Sequence, residues 1–321
     1  MPKTHKIVLL AYEGFELLDL TGPSTVFSEA NLVLGREAYE LVVASPEGGM
    51  VRSWSGLALD SVALNSKRCR NPDSILVSGA LQEGLAIILS CALTRRWLGK
   101  WAPLAERYGS VCSGAFMLAA CGLLDGKEVA THWSVCDRLE KFYPSLKVNA
   151  DALYVNDGRV WTSAGVSSGI DMSLGIVEQD YGAEIAARIA RLLVLYSRRP
   201  GYQSQFSDVL LAQSQADAPF RQLIAWMQAN LSEKLDVETL ASQAAMSERT
   251  FTRKFTRATG QSPARFVESL RLEAARDLMA SNLSLKSIAD SVGLLPASRF
   301  NRVFMRRYGV APSAFRHMQH Q

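Results

Sequence analysis

The stretch "YGSVCSGAFMLAACGLLDGKEVATHW", residues 108–133, decides how the larger part of the chain is read. A short apolar run ending at Val111 gives way at Cys112 to a small-residue helix beginning at Ser113, the pattern of a strand, a sharp turn and a helix. A cysteine at such an elbow points its sulfur out of the sheet. The following helix N-terminus favours its thiolate through the dipole and free N–H groups. Outward from this stretch, apolar and helical segments alternate: "KIVLLAY", a helix near Pro23 to Asn31, "YELVVAS", "SILVSG", a long helix from about Glu83, and "YGSV". That alternation predicts an α/β domain, a flavodoxin-like parallel sheet with helices on both faces. "LYVNDGRVWTSAG" adds a hairpin turning at Asp157-Gly158,. Ligands collect at the carboxyl ends of strands in such sheets, so Cys112 and the glycine-bearing end of "SILVSGA" mark a candidate site.

At 321 residues the chain exceeds what one core usually serves, and two domains are expected,. No run of about 18 uncharged apolar residues exists to span a membrane, and the N-terminus is a poor signal peptide, broken early by Glu13, Glu16 and Asp19,. Five cysteines without paired spacing argue against a disulfide framework or a zinc site,. No cofactor is implied, and a reducing cytoplasm is the expected location. Cys91 and Cys121, inside apolar helices, are expected in the core.

Charge is divided unevenly. Residues 220–321 carry 15 Lys and Arg against 8 Asp and Glu, whereas residues 1–219 carry 20 against 23. A compact basic module points to a polyanionic partner, nucleic acid first. Within it, "FTRKFTRATGQSPARF" (251–266) matches "FNRVFMRRYGVAPSAF" (300–315) in register, phenylalanine for phenylalanine at 251/300, 255/304 and 266/315, glycine for glycine at 260/309. Each copy follows a short amphipathic helix, with Asp236 and Ser284 placed as N-caps. At 100° per residue Arg249, Arg253 and Arg257 form one stripe and Phe251 and Phe255 the opposite one, which suits a helix entering a major groove. The helix between the copies, about Pro263 to Ala280, would rise about 27 Å, near one DNA turn, so both recognition helices could reach successive grooves.

Residues 220–321 thus resemble the DNA-binding domain of AraC-type transcriptional regulators, an all-α pair of helix-turn-helix units joined by a long helix. The likeness is carried by "LASQAAMSERTFTRKFTRATGQSP" and "SIADSVGLLPASRFNRVFMRRYGVAPSAFR". It implies double-stranded promoter DNA as partner, read through Arg249, Thr252, Arg253 and Arg257 in the first unit and Ser298, Asn301 and Arg302 in the second. After Gly293 the sequence "LLPAS" departs from that family, with Pro296 placed to open the second recognition helix at its first turn.

Residues 5 to about 195 resemble the DJ-1/PfpI branch of the class I glutamine-amidotransferase-like superfamily, through "GFELLDLTGP", "PDSILVSGA", "VCSGAFMLAACGLLDGKEVATHW" and "TSAGVSSGIDMSLGIVE". Together the two likenesses match the GlxA-type subgroup of AraC regulators. They imply a sensor domain over 1–199, a linker or docking strap over the Gln/Ser-rich 200–219, and a DNA-binding domain over 220–321. Cys112 takes the place of the family's elbow nucleophile, Asp19 that of an acidic residue reaching it from the loop after the first strand, and Gly79 that of the glycine bordering the oxyanion hole.

Peptidase-type relatives place a histidine directly after the elbow cysteine, where this chain has Ser113. Ala80 stands where many carry a second glycine, and His132 reads as a structural residue. What is present suffices to hold a polar ligand and falls short of a hydrolytic triad. The resemblance therefore implies a non-catalytic sensor: a bacterial cytoplasmic activator, homodimeric, with RNA polymerase as a further candidate partner. Its small-molecule effector would sit against Asp19, Gly79, Cys112, Ser113 and Trp133. Family members answer to amino-acid-derived and quaternary-amine metabolites, and tryptophans 54, 133 and 161 would suit a cation. The competing reading is an enzyme, an isonitrile hydratase-like or glyoxalase-like lyase working through Cys112 and Asp19, with a DNA-binding appendage.

Overall fold

The structure, a computed structural model, describes residues 3–195, 199, 201, 205, 218–281, 283–308 and 310–320. The chain divides into two compact units, 1–205 and 206–321. Most of the span read as a linker lies outside the described residues. Of its described members Gly201 and Gln205 fall in the first unit, and 218 and 219 already belong to a helix.

The first unit is built on β1 (His5–Leu10), β2 (Tyr39–Ser45), β3 (Gly49–Arg52), β4 (Ala58–Ala63), β5 (Ser74–Val77), β6 (Arg107–Val111), β9 (Tyr154–Asp157) and β10 (Val160–Ser163), in the order β3-β4-β2-β1-β5-β6-β10-β9. A separate two-stranded ladder pairs β7 (Glu128–Val129) with β8 (Lys147–Val148). The six inner strands run parallel; β3 and β9, at the edges, are antiparallel. The β9–β10 hairpin turns at Gly158 with φ +68°, as Asp157-Gly158 predicts. The β3–β4 hairpin has no counterpart in the sequence reading, because "VRSWSGLALD" alternates too weakly to show one. Helices α1 (Leu17–Leu34), α2 (Gln82–Ser90), α3 (Ala92–Trp101), α4 (Ala115–Ala120), α5 (Cys136–Phe142), α6 (Ser168–Tyr181) and α7 (Ala183–Leu192) flank the sheet. Parallel strands buried on both faces read as unbroken apolar runs, and Ile7 to Leu10 and Ile75 to Val77 are all buried,.

Several expectations need correction. Helix α1 begins at Leu17, not Pro23: the Glu16 side chain accepts from Leu18 N, and Pro23 is buried inside the helix, facing Gly169. Asp19 therefore lies in the first turn of a helix rather than on the preceding loop. The long helix from Glu83 breaks at Cys91 into α2 and α3. Cys91 thus stands at a junction and Cys121 just past the end of α4, both half-buried rather than in the core. The helix after the elbow opens with a 3-10 turn, Cys112–Gly114, before α4.

The second unit comprises α8 (Ala218–Ala229), α9 (Val237–Gln243), α10 (Glu248–Thr259), α11 (Pro263–Asp277), α12 (Leu285–Ser291), α13 (Ala297–Tyr308) and α14 (Pro312–His320). Asp236 and Ser284 cap α9 and α12 by accepting from Thr239 N and Ser287 N. Two apolar clusters form, one around Phe251, Phe255 and Phe266, the other around Phe300, Phe304 and Phe315. Helix α11 supplies Phe266, Val267 and Leu270 to the first and Leu272 and Ala275 to the second, which ties the two repeats into one body. The repeated phenylalanines reproduce each other's packing: Phe255 meets Phe266, and Phe304 meets Phe315, edge-on at 5.2 Å. Gly260 ends α10 with φ +72°; its counterpart Gly309 lies outside the described residues. Pro296 precedes α13 instead of opening its first turn, and its carbonyl accepts from Arg299 N and Phe300 N.

Candidate functional site

Strands β1, β5, β6 and β10 are neighbours in the sheet, and the chain beyond each carboxyl end contributes one wall of a single site. The turn after β5 presents Gly79, the elbow after β6 presents Cys112, the loop after β10 presents Val166, and α1, following β1, presents Asp19. Asp19, only 2% exposed, accepts from Gly79 N at 3.0 Å through one carboxyl oxygen and from Val166 N at 2.7 Å through the other. Cys112 adopts φ +58°, the left-handed conformation expected of a sharp elbow,. A Cβ on Gly79 would lie 2.7 Å from both Asp19 Oδ2 and Cys112 Cβ. A Cβ on Gly165, where φ is +94°, would fall on the Cys112 side chain. Glycine at these two places is what lets carboxyl and thiol approach.

Desolvation raises the Asp19 carboxyl to about 7, against the pull of the Val166 and Gly79 N–H groups. Burial, with Asp19 beside it, pushes the Cys112 thiol well up, against the N–H of Ser113. The elbow's dipole is thus outweighed, and the sulfur stays a neutral thiol at neutral pH. A pH dependence follows. The unfolded Asp19 ionises near 3.8 and the folded one near 7, so the folded state holds the extra proton between these values and stability is lost as pH rises through that window,. Asp19→Asn is expected to remove that decline, read as denaturant midpoints from pH 4 to 7; parallel profiles for the two proteins would contradict it.

The N–H groups of the turn after β5 are already engaged. Gly79 N is occupied by Asp19. Ala80 N donates to Ser113 Oγ at 2.9 Å, and the same hydroxyl donates to Ala80 O at 2.8 Å. Ser113, expected against the ligand, is instead buried and locks the turn after β5 to the elbow. His132 caps the 3-10 turn Trp133–Val135, and its ring hydrogen-bonds Ser134 Oγ at 2.8 Å.

Sequence reasoning missed three participants. Val166 acts through its backbone, which leaves no side-chain signature. Thr131 donates its hydroxyl to the Cys112 carbonyl at 2.8 Å, in the "ATHW" stretch where His132 draws the eye. Glu16 lies close enough to raise both Asp19 and Cys112, and hydrogen-bonds the indole N–H of Trp54. Trp54 and Trp133 are about half exposed, at 54% and 52%. Trp161 is not available to a ligand: it is buried in β10 and stacks on Tyr154.

In the second unit α10 buries Phe251 and Phe255 and exposes Arg249, Arg253 and Arg257, with Thr252 partly covered. Val237, Arg249, Thr252, Arg253 and Arg257 line one open hollow on this face. On α13, Ser298, Asn301 and Arg302 are exposed opposite Phe300, Val303 and Phe304. Arg306, the counterpart of Arg257, is tied to Glu268 of α11 at 2.6 Å.

The DJ-1/PfpI family model matches residues 5–179. The chain belongs to the DJ-1/PfpI family. A helix-turn-helix domain model matches residues 240–318 of this DJ-1/PfpI protein. HTH-type transcriptional regulator GbdR of Pseudomonas aeruginosa is 28% identical over 313 residues, 96% of this chain and 83% of that protein. HTH-type transcriptional regulator GlxA of Rhizobium meliloti is 27% identical over 97% of this chain and 95% of its own length. Isonitrile hydratase of Pseudomonas putida is 29% identical over 204 residues, 63% of this chain and 83% of the enzyme. Among solved structures, a THiJ/PfpI family protein from Pseudomonas syringae has a TM-score of 0.56 with 25% identity, covering 75% of this chain and 89% of its own. An AraC family transcriptional regulator from Pseudomonas putida scores 0.54 at 23% identity, over 59% of this chain and 99% of its own, and shares the fold. This DJ-1/PfpI protein, with its AraC-type helix-turn-helix region, is a DNA-binding transcriptional regulator. Among the described residues no helix is long and apolar enough to cross a membrane, and no cluster of potential metal ligands occurs.

Proposed function

We propose that the DJ-1/PfpI unit is a metabolite sensor and that the protein is a transcriptional activator working as a homodimer, with RNA polymerase as a further partner. The observation that carries the sensor reading is the occupied turn after β5: the N–H groups of Gly79 and Ala80 are already donated, to Asp19 and Ser113, so this turn holds no free donor for an oxyanion,. What the site offers is a polar floor of Asp19, Gly79 and Cys112, with Glu16 and the exposed rings of Trp54 and Trp133 in the elements around it. Carboxyl groups and aromatic faces together favour a cationic, amine-derived metabolite. The enzyme reading draws on the left-handed Cys112 elbow and on the likeness to isonitrile hydratase. It requires a reactive sulfur, which burial beside Asp19 opposes.

A thermal-shift screen of quaternary-ammonium and amino-acid-derived metabolites tests the sensor. A ligand at 100 times its Kd adds about 2.7 kcal/mol of stability, and Asp19→Ala is expected to weaken it by about 1–3 kcal/mol, because the ligand's polar group loses its partner. A ligand bound equally well by Asp19→Ala would place the pocket elsewhere.

For DNA, base readout is assigned to Arg249, Thr252, Arg253, Ser298, Asn301 and Arg302, with Arg257 on the same basic face. Arg253→Ala should lower affinity for an operator fragment selected by the wild-type protein by about 1–3 kcal/mol while leaving the melting curve intact, since the side chain is exposed,. Unchanged affinity in a gel-shift titration would refute the assignment.

A further inference from the structure

Beyond α7 the chain returns to the carboxyl edge of the sheet and fastens there at three described residues. The Arg199 guanidinium donates to Asp171 Oδ2 at 2.6 and 3.0 Å and to Ser167 Oγ at 2.8 Å, and its backbone N–H donates to Asp171 Oδ1 at 3.1 Å. Gly201 accepts from Tyr154 N at 3.2 Å, at a place where a Cβ would run into Tyr154 O. The Gln205 amide donates to the carbonyls of Thr131 at 2.8 Å and of Ala150 and Ala152 at 3.1 Å, while its oxygen accepts from Trp133 N at 2.8 Å.

These anchors fall on two walls of the candidate site. Ser167 directly follows Val166, whose N–H holds one oxygen of Asp19, and Asp171 lies in the first turn of α6 just beyond. Thr131 and Trp133 flank the point where the Thr131 hydroxyl holds the Cys112 carbonyl. One segment therefore ties down both the acid's wall and the thiol's wall. Residue 205 is also the last of the sensor unit before the DNA-binding unit begins.

We propose that Arg199, Gly201 and Gln205 act as a three-point strap on the Asp19–Cys112 site, their docking and the closure of its two walls making one cooperative element. Its use as a signal rests on the reading that this site takes an effector; the coupling of strap to site does not. Coupling of this kind is reciprocal: whatever shifts the walls shifts the strap, and freeing the strap opens the walls.

The test uses the full-length protein without an effector. Gln205→Glu turns a donor into a carboxylate facing three carbonyl oxygens, which ejects the anchor, and Gln205→Met keeps the length with no polar partner. The readout is the rate of Cys112 alkylation by iodoacetamide, followed by peptide mass spectrometry with Cys121 as internal reference. Hydrogen exchange of the peptide around Val166 follows Arg199→Ala. Release of either anchor should speed its wall by about 5-fold or more, the lower end of usual coupling, with Cys121 alkylation and the main melting transition unchanged. If Gln205→Glu and Gln205→Met both fold and leave Cys112 alkylation at the wild-type rate, the strap does not read the site. Choline and related quaternary-ammonium probes separate this from the sensor reading. If they stabilise the wild type but not Asp19→Ala, while the Gln205 variants leave Cys112 unaltered, the strap alone falls. If no probe binds and the Gln205 variants still expose Cys112, the strap stands without its assumed effector.

Discussion

Phe255→Ala is expected to unfold the DNA-binding unit. The ring is fully buried and touches Phe220, Phe251 and Phe266 with centroid separations of 5.2 to 5.6 Å, so it is the hub of the first cluster. Its removal loses both the transfer free energy and the contacts around the void, about 3–5 kcal/mol. That is a large part of the stability of a unit of this size. Helix α11 carries Phe266 on one cluster and Leu272 on the other, so the loss should pass to the second repeat and abolish operator binding altogether. Calorimetry of the full chain should show the transition of the second unit lost while that of the sheet unit persists. A variant that melts like the wild type would mean that the helix facing is wrong.

Gly165→Ala is expected to dismantle the elbow. Its backbone is left-handed at φ +94°, which by itself strains any L side chain by about 1–3 kcal/mol,. The added methyl would also fall on Cys112 Cβ and within 2.7 Å of Cys112 Cα, an overpacking worth about 1–3 kcal/mol more because the backbone cannot step aside,. The sheet unit should melt markedly lower and lose any ligand that depends on Asp19, since Val166, the next residue, holds that carboxyl. DNA binding by the second unit should persist. Wild-type ligand affinity in this variant would show that the β10 loop is not a wall of the site.

The sheet, both edges of the β9–β10 hairpin and the double helical repeat are legible in the sequence because each has a local cause: apolar runs, an Asp-Gly turn, phenylalanines spaced at helical intervals. Local signals fail where tertiary packing overrules them. Pro23 marks a first helical turn by its chemistry, yet it lies inside α1, where Glu16 supplies the cap and places Asp19 on the helix. Cys112, Asp19 and Gly79 were legible as a constellation only through family likeness, since they stand on three separate elements. Val166, Thr131 and Gln205 were not, because they act through a backbone N–H or through bonds to carbonyls that no spacing in the sequence encodes. Ser113 was legible as a site residue but not in its role, which is to satisfy the Ala80 peptide rather than a ligand.

The central claim, that this regulator senses a metabolite without converting it, is tested most directly by Cys112→Ser. A hydroxyl retains much of the hydrogen bonding at the elbow and forfeits the sulfur's nucleophilicity. The measurement is a reporter dose-response to the stabilising metabolite, in wild type and variant, beside a turnover assay of the wild-type protein on that metabolite. The account predicts that Cys112→Ser keeps basal operator binding and full induction at a higher metabolite concentration, with no product formed by the wild type. Loss of all induction in the variant, with conversion of the metabolite by the wild type, would contradict it and make the inducer a reaction product.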